Sequence, residues 1–111
     1  MTTRNLALAL SLFASPALAE MVLTSPDFTD GGWLPAAQVL NGFGCDGPNL
    51  SPALTWSGVP EGTESLILTL YDPDAPTGSG WWHWTVANIP ADVTGLAAGV
   101  TAVTLPEGAV E

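Results

Sequence analysis

The chain has 111 residues and a formal net charge of -10, because 11 acidic residues stand against a single Lys or Arg. One basic side chain cannot neutralise a row of phosphates or bind an anionic membrane surface, which excludes a nucleic-acid-binding protein and a polybasic membrane-surface protein. Hydrophobic residues make up 47% of the chain, too many for a disordered acidic tail, and the length fits one domain.

Residues 1–19 have the features of a secretory signal peptide. Arg4 gives a positive start, residues 6–14 form a short apolar stretch, and Ala17-Leu18-Ala19 supplies the small residues of a cleavage site. The apolar stretch is too short to cross a bilayer. We therefore expect a periplasmic or secreted protein without stable membrane insertion, whose mature domain, residues 20–111, contains no Lys or Arg.

The mature domain is predicted to consist of short strands and turns, since Gly and Pro number 12 and 10 and no segment shows a helical period. The strongest strand patterns are those of residues 65–71 and 81–89, and the first is apolar enough to predict burial on both faces. Weaker strand patterns lie at residues 36–40, 54–56 and 100–105. The Gly- and Pro-rich residues 42–52 predict an ordered loop, and we expect an unpaired sheet edge.

The loop between the two strongest strands holds two carboxylates in a stiff segment. Asp72 and Asp74 flank Pro73, and Pro76 follows. Residues two apart in an extended segment point to the same side, and proline restricts both its own φ and the residue before it. The X-Pro bonds of this loop are candidates for the cis form. The segment suits a binding site, although a bare Asp-Pro-Asp is more often a solvated turn in which Asp caps its own backbone.

His83 is the only histidine, and it lies in the strand predicted at residues 81–89. Alternation places it on an open face between Trp81 and Thr85, and places the core face at Trp82, Trp84 and Val86. Indole and imidazole side by side would give a small pocket an apolar wall and a switchable donor. The turn is short enough for a carboxylate of the loop to reach the imidazole, although a lone strand histidine is otherwise an ordinary packed residue.

An enzyme is one alternative. Asp72, Asp74 and His83 could serve a hydrolase or a metal-dependent enzyme, but their spacing names no metal. Ser79 lacks the outer glycines of a nucleophile elbow, and a Cys45–His83 nucleophile pair has no further support.

A secreted sugar-binding module is another alternative, because five tryptophans and many carboxylates suit a sugar. The alternation of the second strong strand argues against this class, since it predicts that Trp82 and Trp84 are buried.

Four stretches occur together in order: CDGPNLSP at 45–52, LTW at 54–56, DPDAP at 72–76, and GWWHW at 80–84 leading to NIP at 88–90. Together they resemble the phosphatidylethanolamine-binding protein family, in its bacterial Raf-kinase-inhibitor-like branch. The resemblance covers about residues 22–109. The DPDAP loop followed at this distance by GWWHW is its specific part.

The resemblance implies an all-β fold, a Greek-key sandwich of two sheets with a small anion pocket at one end. It implies binding without catalysis and without a cofactor, with phosphate or a phosphoethanolamine head group as the ligand. In such a pocket, His and loop N–H groups would face the phosphate, Asp would face the ammonium, and Trp would add a cation–π contact. The pocket residues carried over to this chain are Asp72, Asp74, Pro76, Trp81 and His83.

The chain also departs from the family pattern. The resemblance implies a later Gly- and Pro-rich segment, often with a Cys, and then a His-Arg-Tyr motif that brings a second His to the pocket. Neither occurs before Glu111, so we expect an amino-terminal part of the domain with impaired phosphate affinity. Cys45 is the only cysteine, and that later segment would hold its partner. Otherwise Cys45 forms an intermolecular bond or is a small buried hydrophobe.

Overall fold

The computed structural model describes residues 20–111, and the predicted signal peptide at residues 1–19 lies outside them. Seven short strands account for nearly all of the regular structure in this range. They form a three-stranded antiparallel sheet of order β1-β4-β7, an antiparallel pair β5-β6 and a small hairpin β2-β3. The strands are β1 Val22–Thr24, β2 Asn41–Gly42, β3 Cys45–Asp46, β4 Leu54–Ser57, β5 Ser65–Asp72, β6 Trp81–Pro90 and β7 Gly95–Leu96. The predicted all-β fold class is confirmed.

The core lies between the β1-β4-β7 sheet and the β5-β6 pair. Leu54 and Trp56 point inward from β4, where buried and exposed side chains alternate as expected for a strand with one covered face. Val86 and Ile89 of β6 are 0% and 1% exposed and complete the core together with Leu96. The indole N–H of Trp56 donates to the carbonyl oxygen of Val93 at 2.8 Å, so the one polar atom of this ring is satisfied.

A bulge in β6 explains how two core residues three positions apart both point inward. Leu66 pairs with Ile89 and Leu68 pairs with Val86, so β6 contains one residue more than β5 between these two pairs. Asn88 takes up the extra residue in the left-handed region at φ 56°. Asn tolerates this region better than most residues with a side chain. Strict alternation would have turned one of the two core side chains to the surface.

The strand predicted at residues 36–40 is wrong, because this segment contains a 3-10 helix, Ala36–Gln38. Pro35 precedes it at φ -65°, and its carbonyl oxygen accepts from the Gln38 N–H at 3.1 Å. Proline fixes the φ that such a turn needs, and Ala has little strand preference.

The strand predicted at residues 100–105 is also wrong, since this segment is a run of turns. The Thr101 N–H donates to the Thr104 hydroxyl at 2.8 Å, and the Leu105 N–H donates to the Thr101 carbonyl oxygen at 3.0 Å. Threonine hydroxyls compete in this way with a strand ladder for the backbone groups.

The expected ordered loop at residues 42–52 includes a tight hairpin. Gly42 of β2 pairs with Cys45 of β3, which leaves Phe43 and Gly44 as a two-residue turn. Both have positive φ, 51° and 89°, as a type I′ turn requires.

Burial of β5 on both faces is wrong as well. Leu66 and Leu68 are half-buried against the core, whereas Ile67 on the opposite face is 67% exposed. Within residues 20–111, only one face of this strand is covered.

Candidate functional site

The loop that joins β5 to β6 is fixed by hydrogen bonds within its own length. The Asp74 N–H donates to Oδ1 of Asp72 at 2.9 Å, which closes an Asx turn around Pro73. The Thr77 hydroxyl donates to the Gly80 carbonyl oxygen at 2.6 Å. No peptide bond within residues 20–111 is cis, so the cis form expected as a candidate for this loop is not adopted. In both bonds a side chain serves as the partner of a backbone group of the loop.

Tyr71, near the end of β5, holds the loop that follows it, and the sequence analysis did not select this residue. Its hydroxyl donates to the Ser79 carbonyl oxygen at 2.6 Å. A Cβ added at Gly80 would overlap Tyr71 Oη and would lie 2.7 Å from the Asp72 carbonyl oxygen, and Gly80 has φ 75°. Gly80 is therefore required both for its backbone conformation and for its lack of a side chain. A Gly next to the aromatic start of a strand was the signal available in the sequence.

Asp72 and His83 come together at the loop end of the β5-β6 pair. His83 Nε2 lies 3.6 Å from Oδ2 of Asp72, and both side chains are 42% exposed. This separation is an ion-pair distance and is longer than a hydrogen bond. Because Oδ1 of Asp72 holds the loop and Oδ2 faces the imidazole, one carboxylate connects the turn to the histidine.

A second bulge in β6 sets the position of His83. Leu70 pairs with Trp84 and Tyr71 pairs with Trp82, so His83 is the extra residue between two cross-strand pairs. Bulges redirect side chains and are frequent beside functional sites. The side chain of His83 therefore reaches the Asp72 carboxylate from a strand whose alternation is interrupted at that residue.

The same bulge makes the predicted core face wrong for Trp82, which is 61% exposed. The Trp82 ring packs instead on Tyr71, with the ring centroids 4.6 Å apart and the planes at 38°. Val86 is buried and Trp84 half-buried, as the alternation predicted for the rest of this face. The burial argument against a sugar-binding module does not hold for Trp82.

Of the other predicted pocket residues, Asp74 and Trp81 adjoin Asp72 through the backbone, and Pro76 lies in the loop. Asp74 lies in the turn, so the extended geometry from which both carboxylates were expected to point to one side is not adopted. Trp81 is the cross-strand partner of Asp72 and is 55% exposed. Pro76 and Asp74 are exposed in the loop.

Asp72 and His83 stand in the wall of a groove of about 750 Å³. The other walls are largely apolar and come from several separate segments, including Phe28, Leu50, Leu68 and Val100. Two polar atoms in the groove walls, Gln38 Oε1 and Ser51 Oγ, are buried without a hydrogen-bond partner. The arrangement can accept a small molecule that has a charged end near the Asp–His pair and an apolar body.

Glu111 also lines this groove, and it receives the indole N–H of Trp84 on Oε2 at 2.8 Å. Asp72 and Glu111 therefore place two carboxylates in the groove wall. No Lys or Arg occurs in residues 20–111 to offset them.

This geometry gives little support to the two enzyme alternatives, a metal-dependent enzyme and a Cys45–His83 nucleophile pair. Within the part of the chain that the structure describes, no three His, Cys, Asp or Glu side chains are grouped closely enough to hold a metal ion together. Cys45 is an exposed, free thiol in β3 and does not line the groove that contains His83.

Residues 24–111 match the family model described as phosphatidylethanolamine-binding protein, and the chain belongs to this family. Two curated relatives from Escherichia coli are similar along most of the chain. The UPF0098 protein YbcL is 56% identical over 94% of this chain and 58% of its own length. The UPF0098 protein YbhB is 53% identical over 82% of this chain and 59% of its own length.

Solved structures show the same fold. The crystal structure of Escherichia coli YbcL superimposes with a TM-score of 0.78 at 58% identity, covering 83% of this chain and 58% of YbcL. Its description calls YbcL a new member of the mammalian PEBP family. The structure of CT736 from Chlamydia trachomatis gives a TM-score of 0.65 at 36% identity, covering 75% of this chain and 54% of that protein. This chain therefore spans a little over half the length of the relatives that it matches.

Proposed function

We propose that this chain binds a small anionic or zwitterionic molecule with a phosphate-type group, such as a phosphoethanolamine head group, and that it does so without catalysis. The observation that carries the proposal is the Asp72–His83 pair, 3.6 Å apart in the wall of a largely apolar groove. Membership of the phosphatidylethanolamine-binding protein family supports small-ligand binding in general.

Charge decides which ligand suits this pair. Asp72 and Glu111 repel a bare phosphate, and residues 20–111 contain no Lys or Arg to compensate. A zwitterion relieves this conflict, because its ammonium can face Asp72 while its phosphate accepts from the His83 imidazole. Trp81, 55% exposed beside Asp72 in the ladder, is available for a cation–π contact to the same ammonium. We expect phosphoethanolamine to bind more tightly than inorganic phosphate.

The site is open to solvent, and this sets the expected affinity. Asp72 and His83 are each 42% exposed, so their interactions with a ligand are weakened by water. We therefore expect this chain to bind phosphoethanolamine weakly.

The test is a titration of the full chain with phosphoethanolamine, inorganic phosphate and glucose, followed by tryptophan fluorescence. Phosphoethanolamine should give the strongest response and glucose none. His83→Ala should weaken binding of both phosphate compounds by about tenfold, the loss expected for a charged hydrogen bond. Asp72→Asn should remove the preference for phosphoethanolamine over phosphate.

Asp92→Asn is the matched control, because Asp92 is an exposed carboxylate after the far end of β6. This variant should titrate like the unaltered chain. An unchanged phosphoethanolamine response in His83→Ala would overturn the proposal, and a glucose response would favour the sugar-binding alternative.

The export of this protein is a second part of the proposal. Residues 1–19 carry the sequence pattern of a secretory signal peptide, and we propose a periplasmic or secreted location on that ground. Among residues 20–111, no helix is both long and apolar enough to cross a membrane. Cell fractionation with N-terminal sequencing tests this, with a mature protein starting at Glu20 expected and a cytoplasmic protein retaining Arg4 as the contrary result.

A further inference from the structure

The groove beside the β5-β6 loop contains one side chain that can carry a positive charge. The titratable side chains in its wall are Tyr71, Asp72, His83 and Glu111, and residues 20–111 contain no Lys or Arg. Imidazole is the side chain whose charge ordinarily changes between about pH 5 and 8. The charge that this groove presents to a ligand therefore depends on whether His83 carries a proton.

The groups around the imidazole have defined partners. Oδ2 of Asp72 lies 3.6 Å from His83 Nε2, and within residues 20–111 no second carboxylate lies at ion-pair distance from this ring. The Tyr71 hydroxyl donates to the Ser79 carbonyl oxygen, and the Asp74 N–H donates to Oδ1 of Asp72. Asp72 is therefore the counter-charge that a protonated His83 meets before a ligand binds.

Glu111 is the other carboxylate of the groove, and it faces the same ligand. Its Oε2 accepts the indole N–H of Trp84 at 2.8 Å, which fixes the carboxylate in the wall. Asp72 and Glu111 both repel a phosphate-type group. A positive charge on His83 offsets this repulsion, whereas a neutral imidazole does not.

Protonation also changes the hydrogen bonds that the imidazole offers. The neutral ring has one N–H donor and one acceptor nitrogen, whereas the protonated ring has two donors. A hydrogen bond from a charged donor to a phosphate oxygen is about twice as strong as one between neutral groups. A phosphate-type group therefore prefers the protonated ring, and by linkage its binding favours proton uptake to the same extent.

Partial exposure keeps this coupling moderate. The side chains of His83 and Asp72 are each 42% exposed, so the imidazole can exchange its proton with solvent without opening the fold. Water also weakens each charge interaction at such a site. We expect a change of several-fold in the dissociation constant, rather than of several orders of magnitude.

We propose that binding of the phosphate-type ligand beside Asp72 is coupled to uptake of a proton by His83, so that binding tightens as the pH falls from about 8 to about 5.5. This inference rests on the proposed function and adds its regulation by pH. Below the imidazole range a zwitterion pairs with both side chains, phosphate with imidazolium and ammonium with carboxylate. As the pH rises, the imidazolium loses its proton and the phosphate keeps only a neutral donor.

The first experiment titrates the full chain with the methyl ester of phosphoethanolamine at about pH 5.5 and about pH 8, followed by tryptophan fluorescence. This phosphodiester keeps the same charge at both pH values, whereas a phosphate monoester loses a second proton near pH 6 and would add its own titration. We expect about fivefold tighter binding at the lower pH, the gain from replacing a neutral donor with a charged one. Circular dichroism checks that the fold is the same at both.

The second experiment measures the proton itself. His83 is the only histidine, so the imidazole C–H signals in a proton NMR spectrum report its protonation without assignment by mutation. A saturating amount of the methyl ester should move the titration midpoint of these signals to higher pH. Calorimetry near pH 7 in two buffers of different ionisation enthalpy should show net proton uptake on binding.

His83→Gln and Asp92→Asn form the pair of variants. Glutamine keeps an N–H donor but cannot gain a proton, so His83→Gln should show neither proton uptake nor tighter binding at low pH. Asp92→Asn removes an exposed carboxylate after the far end of β6 and should retain both effects.

The outcomes separate this inference from the proposed function. Binding of equal strength at both pH values, without a shift of the His83 signals, would overturn the inference and leave the proposed function standing. No binding at either pH would overturn both. Tightening at low pH that persists in a folded His83→Gln would assign the proton to another group and also overturn the inference. If His83→Gln does not fold, the NMR titration of the unaltered chain decides.

Discussion

The two ends of the β5-β6 pair differ in what covers them. At the core end, Val86 and Ile89 are 0% and 1% exposed and pack against the β1-β4-β7 sheet. At the loop end, Trp81 and Trp82 are 55% and 61% exposed although the same ladder continues through them. Backbone pairing alone therefore does not determine burial in this fold. The core end holds the buried side chains, and the loop end leaves apolar and charged side chains exposed.

A bulge occurs in each of these two environments. Each end of β6 contains one, at Asn88 in the core end and at His83 in the loop end. At the core end the extra residue brings a second apolar side chain inward. At the loop end it is the imidazole itself, which lies beside the Asp72 carboxylate. The same backbone device serves packing in one place and the candidate site in the other.

The largest effect of coverage should appear within the core end, between Ile89→Ala and Ile67→Ala, because the two side chains lie on opposite faces of the β5-β6 pair. Ile89 is 1% exposed in the core, whereas Ile67 is 67% exposed on the uncovered face of β5. We expect Ile89→Ala to lower the free energy of unfolding by about 2–5 kcal/mol through lost burial and a cavity. Ile67→Ala should change it by less than about 0.5 kcal/mol. Urea denaturation measures both, and equal losses would show that the outer face of β5 is covered in solution.

At the loop end, comparing Gly80→Ala with Gly78→Ala tests how much stability depends on the contact between Gly80 and Tyr71. Both glycines have positive φ, 75° and 82°, so alanine meets a similar backbone penalty at each. At Gly78 the new Cβ would meet nothing within 4 Å, whereas at Gly80 it would overlap Tyr71 Oη. We expect Gly80→Ala to be less stable than Gly78→Ala by about 1–3 kcal/mol, because the Tyr71 side chain must move.

Phosphoethanolamine titration extends the same comparison to the proposed site. Displacement of Tyr71 breaks its hydrogen bond to Ser79 and frees the loop that Asp72 also holds. Gly80→Ala should therefore lose more of the fluorescence response than Gly78→Ala. Identical stability and identical titrations for the two variants would mean that Tyr71 does not hold the loop.

Sequence patterns were sufficient for the features that depend on composition along one strand. The apolar run before Asp72 predicted β5, and the aromatic run from Trp81 predicted β6. The Asp-Pro-Asp segment predicted the loop between the two strands. The meeting of Asp72 with His83 also followed, because a hairpin brings its two strand ends together.

The features that depend on register could not be predicted. Strict alternation assigned Trp82 to the core, but one extra residue in β6 changes the face of every side chain beyond it. The roles of Tyr71 and Gly80 depend on a contact across the turn, which no local pattern records. The turn at Thr101 replaced a predicted strand because hydroxyl hydrogen bonds outweighed strand preference.

The smallest predicted change in stability concerns Asn88 in the core-end bulge. Two variants separate the contribution of its backbone conformation from that of its side-chain hydrogen bond. Asn88 has φ 56°, and its Nδ2 donates to the Gly108 carbonyl oxygen at 2.8 Å. Asn88→Ala loses the hydrogen bond and strains the backbone, for an expected cost of about 1–2 kcal/mol. Asn88→Gly loses only the hydrogen bond and should cost less, because glycine adopts this φ freely. Thermal denaturation ranks the two variants. Since the bulge keeps Val86 and Ile89 inward together, an alanine variant as stable as the glycine variant would imply that β6 can hold its core face without a left-handed residue.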